Sequence, residues 1–199
     1  VVLGTAREAI ALLRVVFNWA KVKPNPCDGI KLGSTGIRDT ILEDANDYAR
    51  LFETLDRMET ERRIRQPVAD AIRLIALTGC RRGEAANLRW AHVELKRGRI
   101  VLPPNSHKSG RKTNKPRIIP LPAAAQAIIA RQPQGEDQDF VFAPAKGDGA
   151  LALSRIWANV REEAGFSKRL GLHGLRHSIA SHLAMGGAQA RADHECYGA

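Results

Sequence analysis

Three short stretches carry the side chains best suited to chemistry. Thr78-Gly79-Cys80-Arg81-Arg82-Gly83-Glu84 sits in a break between two helical patterns, where a glycine lets the backbone turn. Glu84, three residues after Arg81, can pair with that guanidinium and hold its fork in one direction. His173-Gly174-Leu175-Arg176-His177 opens the last helical pattern. A spacing of three puts His173 and Arg176 on one face, with Leu172, Leu175, Ile179 and Leu183 on the opposite, core-facing stripe. Lys108, in His107-Lys108-Ser109-Gly110-Arg111-Lys112, lies on a polar loop between two β-branched runs. Each stretch also has a plain structural account: a surface ion pair at a helix start, histidines that cap and pack a helix, one solvated lysine among several. A metal on His173, His177 and His182 has one usable ligand spacing but no acidic partner, and Arg176 beside the cation. Taken together, two arginines, a histidine and a lysine suit phosphoryl transfer without a metal. Charge developing on phosphate oxygens needs donors that do not titrate, and arginine supplies them in pairs. The histidine can orient or move a proton and the lysine can protonate a departing oxygen. The set lacks a nucleophile.

The charge distribution agrees with an anionic partner. The 199 residues carry a formal net charge of +10, yet between Arg81 and Arg131 twelve Lys and Arg face only two acids, Glu84 and Glu94. The remainder is neutral, so the excess belongs to one basic middle, as on a polyanion-binding face. A solvated basic hairpin without a ligand is the simpler alternative. The longest apolar stretch, Ile10 to Ala20, is broken by Arg14 and Asn18, so no membrane span is expected. No charged-then-apolar leader opens the chain, and Cys27, Cys80 and Cys196 show no paired spacing. A protein of the reducing cytoplasm is the expectation.

The elements that must position these residues alternate in period. Residues 5–20 read as a helix opened by a Thr5/Glu8 capping box, with apolar residues around nearly the whole cylinder. Lys21 to Gly36, with Pro24, Pro26 and several glycines, reads as a linker. A second helix is predicted over 43–60 and a third from Pro67, closed by Gly79. A short one follows through Glu84 to Leu88. Arg99-Ile100-Val101-Leu102 and Arg117-Ile118-Ile119 read as antiparallel strands around a basic loop. Helices return over 123–131, over 154–164 and from about His173 to Met185. The expected fold is α+β, mainly helical, with a small antiparallel sheet.

The order Gly79-x-Arg81-x-x-Glu84, then Lys108 leading to Arg117-Ile118-Ile119-Pro120-Leu121-Pro122, then His173-x-x-Arg176-His177, resembles the catalytic domain of the tyrosine recombinases of phage-integrase type. Asn87-Leu88-Arg89-Trp90 and Ser181-His182-Leu183-Ala184-Met185-Gly186 match its style. The first helix, with Val16-Phe17-Asn18-Trp19-Ala20, resembles the last helix of the family's DNA-clamping core-binding domain. The resemblance implies the end of that domain over 1–22, a linker over 23–36, a catalytic domain over 37–188 and a divergent tail over 189–199. It implies that Arg81 and Arg176 hold the scissile phosphate, His173 assists proton transfer, Lys108 is the general acid on the 5′ oxygen, and Glu84 and His177 support them. Arg82, Arg89, Arg111, Lys112, Lys115 and Arg117 are then candidates for contacting DNA.

In the family a tyrosine attacks the phosphate and forms a 3′-phosphotyrosine link, with no cofactor and no metal. That tyrosine follows a Leu-Gly-His motif, roughly thirty residues after the HxxR arginine. Here 23 residues follow Arg176, and neither His194 nor Tyr197 has the expected context. The resemblance therefore implies site-specific DNA recombination or integration by phosphotyrosine transesterification, with this chain holding DNA but not cleaving it. A DNA-binding module without catalysis is the alternative. Double-stranded DNA is the expected partner. Intact members assemble as tetramers on DNA, and a monomer is expected of this chain.

Overall fold

In a computed structural model, the structure describes residues 3–30, 41–106, 113–145, 147 and 149–179. The chain divides into two compact units, Val1–Arg38 and Asp39–Ala199. In the first, helix α1 (Leu3–Trp19) already includes Leu3 and Gly4, so Thr5 stands inside the helix and not at its cap. Past α1 the backbone folds back on it through Asn25, whose amide donates to Asn18 Oδ1 at 2.7 Å and to the Arg14 carbonyl at 3.2 Å. Arg14 in turn donates to the Cys27 carbonyl at 2.7 Å. Part of the stretch read as a linker is thus tied to the helix. Leu12, Leu13, Val15, Val16 and Trp19 stay exposed on α1.

The second unit is built around one helix. α3 (Gln66–Thr78) starts with Pro67 in its first turn, where a missing N–H is harmless, and ends at Gly79 with φ +62°. Every residue from Val68 to Ala76 is buried, which fits a helix surrounded by neighbours. α2 (Ala45–Thr60), capped by the Asp44 carboxylate accepting from the Asp47 amide at 3.0 Å, packs on one side of it. The five-residue α4 (Arg82–Ala86) and α5 (Ala123–Ala130) pack on others. α6 (Ser154–Glu163) lies against α2, and a last helix, α7, is described over 172–179. Among the described residues no helix is long and apolar enough to cross a membrane.

The sheet has three antiparallel strands in the order β1 (Val93–Glu94), β2 (Arg99–Leu102), β3 (Arg117–Pro120). The two longer strands match the expectation. β1 went unread because two residues show no alternation. Register pairs Ile100 with Ile119 and Leu102 with Arg117. Side chains alternate faces along a strand, so Ile100, Leu102 and Ile119 enter the core while Ile118 faces solvent. Directly opposite Leu102, Arg117 points to the core-facing side as well.

One polar group lies deep in this core. Asp70 on α3 is fully buried and accepts from Arg73 Nη1 and Arg131 Nε at 2.8 Å each and from Gln132 Nε2 at 2.6 Å. Arg73 also bonds Glu59 at 3.0 Å, so α2, α3 and the end of α5 meet at one carboxylate. Removing the buried member of such a network leaves the groups that pointed at it without their partner. Asp70→Asn, which puts an amide N–H against these donors, is expected to destabilise the fold by about 3 kcal/mol. Urea unfolding checks this; a loss below about 1 kcal/mol would show the network to be dispensable.

Candidate phosphate-binding site

Three elements bring the chemistry-bearing residues together. The corner between α3 and α4 presents Arg81. Glu84, at the third position of α4, accepts from the Arg81 backbone N–H at 2.7 Å and from Arg81 Nη1 at 2.8 Å. The same carboxylate thus caps the helix and holds the guanidinium. The Glu84 side chain is almost fully buried, whereas that of Arg81 is about one-third exposed, so the carboxylate is the fixed member.

The second element is α7. Arg176 Nη1 donates to the Gly79 carbonyl at 2.5 Å, fastening α7 to the end of α3. Gly79 suits that junction by its backbone. Its left-handed φ is one that residues with a side chain rarely adopt, whereas the 3.6 Å that would separate a Cβ from Ile179 is ordinary contact. Behind Arg176, the buried Ser178 hydroxyl accepts from the Leu42 N–H at 2.7 Å and donates to the Gly174 carbonyl at 3.0 Å. His173 and His177 are exposed, their rings edge to face at 4.5 Å between centroids. The buried Trp157 donates to the Leu170 carbonyl at 2.8 Å and fixes the approach to α7.

Arg81, Arg82, His173 and Arg176 line one open cavity of about 500 Å³, with Ser154 and Trp157 among its walls. The exposed Arg82 donates to the Ser154 hydroxyl. From the β3 side Arg117 brings a second guanidinium to Glu84, its Nη1 3.4 Å from Oε1. Burial pushes the Arg117 pKa down, Glu84 pulls it up, and the nearby Arg176 and Arg81 push it down further. The structure thus joins Arg81, Glu84, His173, Arg176 and, beside them, Arg82 and Arg117. It does not bring Arg89 to this cavity: that guanidinium stacks over Phe140 at 4.4 Å and donates to the Gln138 carbonyl. Lys115 is exposed near the base of the hairpin. Lys108, Arg111, Lys112 and Tyr197 lie outside the described residues. Among the described residues no three His, Cys, Asp or Glu side chains group as a metal site would require.

The comparisons with known proteins fit this arrangement. A model of the phage integrase family matches residues 44–198. The chain belongs to the phage integrase family. Its resemblance to tyrosine recombinases extends to curated relatives. Tyrosine recombinase XerC of Chromohalobacter salexigens is 32% identical over 128 residues, covering 60% of this chain and 40% of that protein. XerC of Anoxybacillus flavithermus is 31% identical over 140 residues, covering 64% and 44%. The chain therefore spans about two-fifths of the length of these relatives. Among solved structures, the Tn1549 transposon integrase in complex with transposon right end DNA shares the fold with a TM-score of 0.69 at 18% identity, covering 92% of this chain and 67% of that one. A lambda integrase dimer bound to a COC′ core site gives 0.63 at 18% identity, covering 88% and 51%. The fold is that of the tyrosine recombinase catalytic domain, mainly helical with a three-stranded antiparallel sheet.

One group in this integrase-family site has chemistry that is easy to misjudge. Cys80 adjoins Arg81, and cations activate thiols, yet its burial pushes the pKa up to about 12, with the Thr78 hydrogen bond and then Arg117 and Arg176 opposing the rise too weakly to reverse it. At pH 8 the folded chain should keep Cys80 as an unreactive thiol. Iodoacetamide followed by peptide mass mapping should find it unmodified until guanidinium unfolds the protein. Rapid labelling of Cys80 in the folded state would contradict the burial argument.

Proposed function

We propose that this chain holds a phosphodiester of double-stranded DNA for site-specific strand transfer by phosphotyrosine transesterification. The observation that carries the reading is the convergence of Arg81, Arg176 and His173 on one cavity, with Arg81 held by Glu84. Two guanidiniums present fixed donors to the non-bridging oxygens, where charge builds as the phosphorus becomes five-coordinate. His173 at the cavity edge bonds or relays a proton to the same group. Lys108 protonates the departing 5′ oxygen as a tyrosine oxygen bonds to phosphorus. The link keeps the bond energy, so the reverse attack by a 5′ hydroxyl rejoins a strand without ATP.

The nucleophile is not Tyr48. Its hydroxyl has no access to solvent and burial pushes its pKa up. The domain division read from the sequence fits this proposal: the end of a core-binding domain over 1–22, a linker over 23–36, the catalytic domain over 37–188. Relatives named as integrases have been solved bound to DNA, which supports duplex DNA as the partner.

The test is duplex binding followed by fluorescence anisotropy as salt is raised. If about four phosphates are neutralised, affinity falls on the order of 100-fold between about 50 and 200 mM salt. Arg176→Gln should weaken binding throughout. Binding that does not change with salt would sink the reading.

A further inference from the structure

We propose that Arg117 is a further cation behind the pocket wall, a positioning residue that shares the Glu84 carboxylate with Arg81 and supplies positive charge that anion binding uses and the fold alone does not. The inference rests on the phosphodiester reading above and adds a residue to it.

The geometry around Glu84 is unequal. Arg81 takes both carboxylate oxygens, Oε2 through its backbone N–H at 2.7 Å and Oε1 through Nη1 at 2.8 Å. Arg117 stands 3.4 Å from Oε1, the more distant of the two guanidiniums. Glu84 therefore keeps its two short hydrogen bonds without Arg117. Arg117 is not on the surface either: its side chain is 22% exposed, and strand alternation aims it at the core side, opposite Leu102. The result is two guanidiniums, those of Arg81 and Arg117, on one carboxylate, with the positive charge of Arg176 near enough to act on Arg117.

Such an excess is unfavourable in a half-buried place unless an anion completes it. A guanidinium does not shed its proton in a protein, so the site keeps its charge at every pH of interest. The sign is consistent. Burial, the first cause, and repulsion from Arg176 and Arg81 outweigh the attraction of Glu84 and lower the Arg117 pKa. A cation whose pKa falls on folding is one whose charged form the fold disfavours. A structural ion-pair partner shows the opposite balance. Arg117 also roots the sequence that follows the Lys108 loop. Holding it at Glu84 therefore sets where β3 leaves the pocket.

The experiment is thermal unfolding of the full chain, wild type, Arg117→Gln and Arg117→Lys, in rising inorganic phosphate at constant ionic strength. Without phosphate, R117Q should melt no lower than wild type, and about 2 °C higher if the repulsion is fully relieved. Phosphate should raise the wild-type melting temperature and give R117Q no more than about half that gain, since a ligand stabilises the folded state less the more weakly it binds. R117K, which restores the charge, should recover most of it. R117Q melting below wild type without phosphate makes Arg117 a structural partner of Glu84 and overturns the proposal. So does a phosphate gain in R117Q equal to that of wild type, or no phosphate gain in wild type. Loss of duplex binding with the phosphate pattern intact defeats the DNA reading and leaves the role of Arg117 standing.

Discussion

One buried carboxylate sets the terms for the whole site. Glu84 is the negative charge at a junction of positive ones, and in a medium that screens poorly it decides which arrangements of arginine are possible. It caps α4, which orients the α3–α4 corner. It holds the fork of Arg81, which faces the cavity, and it faces Arg117 from the sheet. A helix end, a pocket wall and a strand are thereby referred to one pair of oxygens. Polar groups at this depth demand partners with defined geometry, whereas apolar contacts around them tolerate adjustment.

Asp70 plays the comparable part at the other end of α3. There the cations are fewer than the acids around them: Arg73 meets Asp56, Glu59 and Asp70, while Arg131 reaches Asp70 and Glu59. The two ends of one helix thus have opposite electrostatic character. The acidic surplus lies where the helices are locked together, and the basic surplus lies at the open cavity. A fold that put its excess positive charge in the locked region would repel itself without serving a ligand.

Much of this was legible from residue order. Pro67 and Gly79 bracket α3 because one lacks an N–H and the other accepts a left-handed backbone, and these are local properties. The Arg81–Glu84 pair follows from a spacing of three, and the longer strands from β-branched runs. What escaped was non-local or too short. β1 has two residues and no period. The bond from Arg176 to the Gly79 carbonyl joins positions 97 apart and leaves no trace in either segment. The inward face of Arg117 was not legible either, because Ile118 and Ile119 are equally apolar and only the pairing with β2 shows which of them is buried. Arg89, in the basic middle, is taken up by Phe140 and a carbonyl, because a count of charges does not say where each one points.

The tie between Leu42 and Ser178 spans 136 residues, nearly the whole of the second unit. Together with the Arg176–Gly79 bond it makes α7 the closing piece of this domain, since neither bond can form until the late segment has been synthesised. Loop closure over such separations comes late in folding. A chain emerging from the ribosome therefore exposes Arg81 well before it owns the complete cavity. Until α7 has been made, the chain carries the basic side chains of the α3–α4 corner without the cavity that Arg81 and Arg176 line together.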